Sequence, residues 1–129
     1  MSEVKILKFI HCMLGVLWIY QGLFPKLLFI SQDEITMWQF MGFSSDMARL
    51  AGQAGGIAEI IFGAAFIVYP HKILHWLNII GMAGLLILVA ISLPHQLLAA
   101  FNPVVMNMAI GSLSVIALLL MQSRYRNSL

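Results

Sequence analysis

The chain has 129 residues, 61% hydrophobic and 9% charged, with a formal net charge of +2 and a mean hydropathy of +0.94. A soluble domain is usually about a quarter charged, so this composition excludes a water-covered surface and fits a small integral membrane protein without a separate soluble domain. The small net charge, with no basic run and no RNA-binding signature, gives no argument for nucleic acid, and none is expected as a partner.

The first apolar run, residues 6–24, is close to the about 20 residues that a helix needs to cross a hydrocarbon core. Lys5 and Lys8 ahead of it resemble the start of a signal peptide, but the run ends in Phe24-Pro25-Lys26 and not at a small-residue cleavage site. A retained helix is therefore expected. Pro25 either closes that helix or kinks one that continues to Ile30, which would draw Lys26 inside the membrane boundary. Cys12, the single cysteine, lies in this run. One thiol makes no internal disulfide and there is no C-x-x-C pair, so self-contained thiol redox chemistry is not expected, and Cys12 reads as a small buried hydrophobe.

The following loop has structure of its own. Ser31-Gln32-Asp33-Glu34 has the spacing of a capping box, and Ile35, Met37, Trp38, Phe40 and Met41 follow before Gly42 breaks the pattern. This predicts a short helix at the outer interface, with Trp38 at headgroup depth. Ser44-Ser45-Asp46 then offers capping groups for a second run at 50–69. Pro70–Lys72 is a turn so tight that the second and third spans should be antiparallel neighbours. The third run covers 73–93, Pro94 and Pro103 bracket the last loop, and the fourth run covers 104–121. Continuous apolar runs without period-two alternation favour helices over a barrel. The expected fold is all-α: one integral-membrane four-helix bundle filling residues 1–129, with a short interfacial helix in its first loop.

Basic residues set the orientation. The side with both termini carries Lys5, Lys8, Lys72, Arg124 and Arg126, and the other side carries Lys26 and Arg49 with Asp33, Glu34 and Asp46. Both termini should face the cytoplasm.

Glu59 is the residue that demands a reason. It sits mid-way along 50–69, where a charged side chain costs about 2.5–3.5 kcal/mol on insertion scales and is normally paired, protonated or turned to water. Gly52, Gly55, Gly56, Glu59 and Gly63 share one helical face, and His11, Gly15, Trp18, Gly22 and Lys26 share another. Small residues let helix backbones approach, so both faces should point into the bundle. Lys26, Gln53, Glu59, Ser92, His95, Asn102 and Asn107 gather in the outer half, where Lys26 could reach down its flexible stem to Glu59.

Each feature also has a plain structural reading. The glycine faces need mean nothing beyond packing. Glu59 is either a binding or proton-handling group or half of a buried pair. Asn107 is either a site residue or a hydrogen bond between helices, and Lys26 either pairs with Glu59 or snorkels to the interface. The methionines, including Met106 and Met108, read as packing. His11 and His75 lie near the cytoplasmic ends of the first and third spans and could hold one haem, but two histidines make no specific motif. His75 beside Trp76 reads more simply as interfacial, as does His71. No metal-hydrolase spacing is present.

Three short motifs carry a family resemblance: Trp18-x-x-x-Gly22-Leu23-x-Pro25-Lys26-Leu27; Ala58-Glu59-Ile60 with Gly63; and Phe101-Asn102-Pro103-x-x-x-Asn107. In this order and spacing the chain resembles the DoxX-like membrane proteins over nearly its whole length. The resemblance implies a four-helix membrane bundle and marks Trp18, Gly22, Pro25, Lys26, Glu59, Pro103 and Asn107 as motif positions. Some members of that family are similar to a subunit of thiosulfate:quinone oxidoreductase, and others accompany thiol-stress or sulfur-transfer proteins. The single cysteine departs from a thiol mechanism, which is not carried over.

The leading expectation is a protein of the bacterial inner membrane that is not an enzyme on its own. It would hold a small hydrophobic ligand, a quinone or a lipid, in an outward-opening pocket of Lys26, Gln53, Glu59 and Asn107, with Asn102, Trp18 and His95 nearby. The rivals are a membrane subunit of a quinone-linked oxidoreductase or stress-response complex, in which a partner supplies the redox centre, a small transporter, and a structural assembly factor. Homo-oligomers are compatible with all of these.

Overall fold

The computed structural model describes residues 2–128. Helix α1 (Glu3–Leu23) runs straight into a π-helical turn, Phe24–Leu28, and is followed by a short α2 (Gln32–Phe40). Three long helices and a short turn complete the chain: α3 (Ser45–Val68), α4 (Lys72–Ser92), a 3-10 turn at Pro94–Leu98, and α5 (Pro103–Asn127). Glu3–Leu28, α3, α4 and α5 are each long and apolar enough to cross a membrane. With four crossings, both ends of the chain lie at one end of the bundle, called here the terminal end. Helix α2 and the 3-10 turn lie at the other, the loop end. Helix α3 begins five residues before the expected apolar run and α5 ends six residues after it.

Local chemistry explains the breaks. Ser44 caps α3, its hydroxyl accepting the Met47 N–H at 3.3 Å. Asn102 caps α5 by accepting the Val105 N–H at 3.1 Å, and Pro103 takes the first helical position, where a missing N–H is no loss. Helix α2 closes in a Schellman turn around Gly42, whose φ of +97° is left-handed. There the Gly42 N–H donates to Gln39 O at 2.9 Å and the Phe43 N–H to Trp38 O at 3.2 Å.

The capping box expected at the start of α2 does not form. Ser31 makes no side-chain cap bond, and its own N–H is already bound to Pro25 O at 2.8 Å. The reciprocal donor that Glu34 would have covered is therefore spent, and Glu34 turns elsewhere.

Helix α1 packs chiefly on α3, and α4 on α5; α1 also meets α5, and α2 lies across α3 and touches α4. The α1–α3 contact is the close one, made where the two glycine faces meet. A β-carbon on Gly56 would stand 2.7 Å from Gly22 O, and one on Gly63 would stand 2.6 Å from Gly15 O. Backbone meets backbone there, as small residues permit. By contrast, α3 and α4 touch only slightly despite the tight turn joining them. The small face of α3 is already occupied by α1, so the face of α4 bearing His75, Asn78 and Met82 is buried against other helices.

The core (Leu7, Ile10, Leu14, Trp18, Phe66, Met82 and Ala117) fills the space between the two helix pairs. Ile57, Ile61, Ile80, Ile87, Ile91 and Leu119 lie exposed on the outside, the surface a hydrocarbon solvent requires. Cys12, expected to be buried, is exposed. It stands about 100° round the helix from His11, off the inward face.

Candidate functional site

The site begins at Pro25. Proline has no N–H to give to the preceding turn, and the helix widens after it. The Phe29 N–H donates to Phe24 O at 2.8 Å, a five-residue step, before the chain leaves the helix. This wide turn carries Lys26 inward, where only 8% of the residue is exposed. The Gly22–Gly56 contact lies one turn away on the same two helices. It holds the backbones close enough for Lys26 Nζ to donate to Glu59 Oε1 at 2.6 Å.

A second carboxylate completes the group. Glu34 Oε1 lies 3.4 Å from Lys26 Nζ and accepts the Trp38 indole N–H at 3.0 Å. One ammonium thus stands between two carboxylates, all three side chains largely buried. Burying such ions repays its desolvation only when their remaining polar atoms are also satisfied. Here one is not. Among the described residues, Glu59 Oε2 is the buried side-chain polar atom left without a hydrogen-bond partner.

Glu59 and Lys26 face a cavity of about 470 Å³. Trp18, Met82, Leu85, Val89, Met106 and Ile110 make its apolar walls, and Lys26, Glu34 and Glu59 its polar end. Asp33 and Gln96 also line it; the Gln96 amide donates to Asp33, tying α2 to the 3-10 turn.

Four of the residues expected at the site come together on this cavity: Trp18, Lys26, Glu59 and Asn107. Asn107 also joins helices, its amide donating to Met82 O at 3.2 Å. Gln53, Asn102 and His95 are not on the cavity wall. Gln53 is six residues from Glu59, about 120° round α3. The Asn102 side chain is spent on capping α5 and on a 3.0 Å bond to Ala99 O. His95 is exposed on the 3-10 turn. Glu34, Asp33 and Gln96 went unforeseen, because their roles depend on how α2 folds over the bundle. Among the described residues, no three side chains of metal-ligating type gather.

A second polar group lies deeper, towards the terminal end. The Trp18 indole N–H donates to Asn78 Oδ1 at 2.8 Å. The Asn78 amide donates to Ser114 Oγ at 2.8 Å and to Ile110 O at 3.2 Å. Ser114 Oγ is 3.1 Å from His75 Nδ1, and His75 Nε2 is 3.1 Å from His11 Nε2. His75, expected at the interface, is instead fully buried, as are Asn78 and Ser114. Residue 75 lies one turn before Asn78 and shares its inward face, which outweighs its nearness to the helix start. The two imidazoles are each other's partners, so a haem iron between them would have to part α1 from α4.

This chain holds Trp18, and through it one cavity wall. Replacing Asn78 with Ala should leave the Trp18 N–H without an acceptor and lower stability by about 1–3 kcal/mol. The change is read as an earlier unfolding midpoint in detergent and a red-shifted tryptophan emission. An unmoved midpoint would mean the chain contributes nothing to holding the fold.

No curated protein and no solved structure matches this chain. The model of the DoxX-like family matches residues 15–119, a span that takes in Lys26, Glu34, Glu59, the cavity walls and both glycine contacts. With four helices able to cross a bilayer, the molecule is a multi-pass membrane protein, and by that match it belongs to the DoxX-like family.

Proposed function

We propose that this protein holds a small hydrophobic molecule, of the quinone or lipid class, in the cavity that ends at Lys26 and Glu59. It does so as a resident of a bacterial inner membrane with both termini in the cytoplasm, and it performs no reaction on its own. The observation that carries this reading is the cavity's form: apolar walls of Leu85, Val89, Met106 and Ile110 leading to one charged end at Lys26, Glu34 and Glu59. An apolar pocket with a few convergent polar groups is the usual form of a small-molecule site. The tail of such a ligand would lie along the apolar wall and its head would meet Glu59 and Lys26.

Two variants test the proposal by mass spectrometry of molecules extracted from protein purified in mild detergent. Glu59→Gln keeps the shape and removes the charge; Val89→Trp fills the cavity and leaves the ions alone. Both are expected to strip most of a molecule that the wild type retains. Retention equal to wild type in both variants would assign Glu59 to structure alone.

A further inference from the structure

The cavity is short of positive charge, with Lys26 on its lining against Asp33, Glu34 and Glu59, and its polar end is short of one hydrogen-bond donor. Lys26 stands against two carboxylates, 2.6 Å from Glu59 and 3.4 Å from Glu34. Glu34 has a second donor in Trp38; Glu59 Oε2 has none. The donors on the nearby walls point elsewhere: the Trp18 indole donates to Asn78, the Asn107 amide to Met82 O and the Gln96 amide to Asp33, and none reaches Glu59 Oε2. Tyr20, Gln21 and Ser31 also line the cavity, and none of them reaches Glu59 Oε2.

A buried acceptor without a donor forfeits its hydration for no return. A ligand that supplies the missing donor recovers that loss on binding. A head offering only lone pairs, such as a quinone carbonyl, sets acceptor against acceptor, and an anionic head adds repulsion from the surplus carboxylates. Resting on the ligand-binding reading above, we propose that the cavity selects amphiphiles whose head donates a hydrogen bond to Glu59 Oε2, and rejects acceptor-only and anionic heads. Two sources share that chemistry: a phenolic hydroxyl, as in a hydroquinone, and an aliphatic ammonium. The first supplies the donor, and the second supplies both the donor and a positive charge.

Calorimetric titration in detergent, kept anaerobic, tests this with four probes carrying the same decyl tail: decylhydroquinone, decylbenzoquinone, decylamine and decyl phosphate. At least one donor head should bind about tenfold or more tightly than decylbenzoquinone, the usual worth of a hydrogen bond to a charged group, and decyl phosphate should bind least. Glu34→Gln lowers the negative surplus by one charge without touching Oε2. It should shrink the decylamine advantage and leave the decylhydroquinone advantage in place. Glu59→Gln should abolish both. Decylbenzoquinone or decyl phosphate binding as tightly as the donor heads would overturn the selectivity while leaving the ligand-binding reading intact. Failure of all four probes to bind would overturn both.

Discussion

Replacing Lys26 with Met is expected to cost about 3–5 kcal/mol of stability, the usual cost of removing one partner from a buried ion pair. The loss arises from what remains. Glu59 and Glu34 would face each other across the polar end of the cavity with no cation between them. The same reasoning predicts a rescue. In the double variant Lys26→Met, Glu59→Leu, the charge pair is replaced by apolar groups, and most of the lost stability should return, although the ligand site would not. The unfolding midpoint in a series of SDS–detergent mixtures measures both. A single variant as stable as the wild type would show that Lys26 does not compensate Glu59 inside the bundle.

Gly56→Leu is expected to disrupt the pairing of α1 with α3. Even the first carbon of a side chain at this position would lie 2.7 Å from Gly22 O and 2.9 Å from Lys26 Cβ, so the helices must move apart. Overpacking of this kind costs about 1–3 kcal/mol and more when backbone must shift. Because Lys26 and Glu59 rely on that close approach, the variant should lose ligand retention along with stability. Gly84→Leu is the control: nothing lies within 4 Å of a β-carbon there, and its midpoint should stay near wild type. Helix propensity favours Leu over Gly at both positions, so similar losses at the two would mean that the close approach does not set the effect.

The sequence was most informative where a single helix decides the outcome. Apolar runs set the spans, and the repeat of Gly52, Gly56, Glu59 and Gly63 along one face was enough to turn Glu59 inward. For Lys26 the sequence left two readings, a partner of Glu59 or a cation at the interface, and the fold brings it to Glu59 at 2.6 Å. Where several elements meet, the sequence alone does not bring the partners together. Glu34 has a spacing suited to a cap, but the Ser31 N–H it would have covered is held by Pro25 O, and only the fold brings Lys26 within its reach. Asn78 drew no notice, because one amide in a helix has no motif; its partners, Trp18 and Ser114, come from α1 and α5. Asn102 shows the reverse: a polar side chain near the site whose capacity is consumed by its own helix start.

The same geometry links packing to chemistry. The glycine contacts bring α1 onto α3, the widened turn after Pro25 aims Lys26 inward, and α2 adds Glu34 from above. Together they leave one buried carboxylate oxygen of Glu59 without a donor at the polar end of an apolar cavity. A crystal structure grown from a lipid phase in the presence of decylhydroquinone would test this arrangement directly. It should show Lys26 Nζ bonded to Glu59, and elongated density running past Val89 and Met106 to end at Glu59 Oε2. A Glu59 carboxyl facing acyl chains, a Lys26 extended to solvent, or a cavity closed by the protein's own side chains would contradict it.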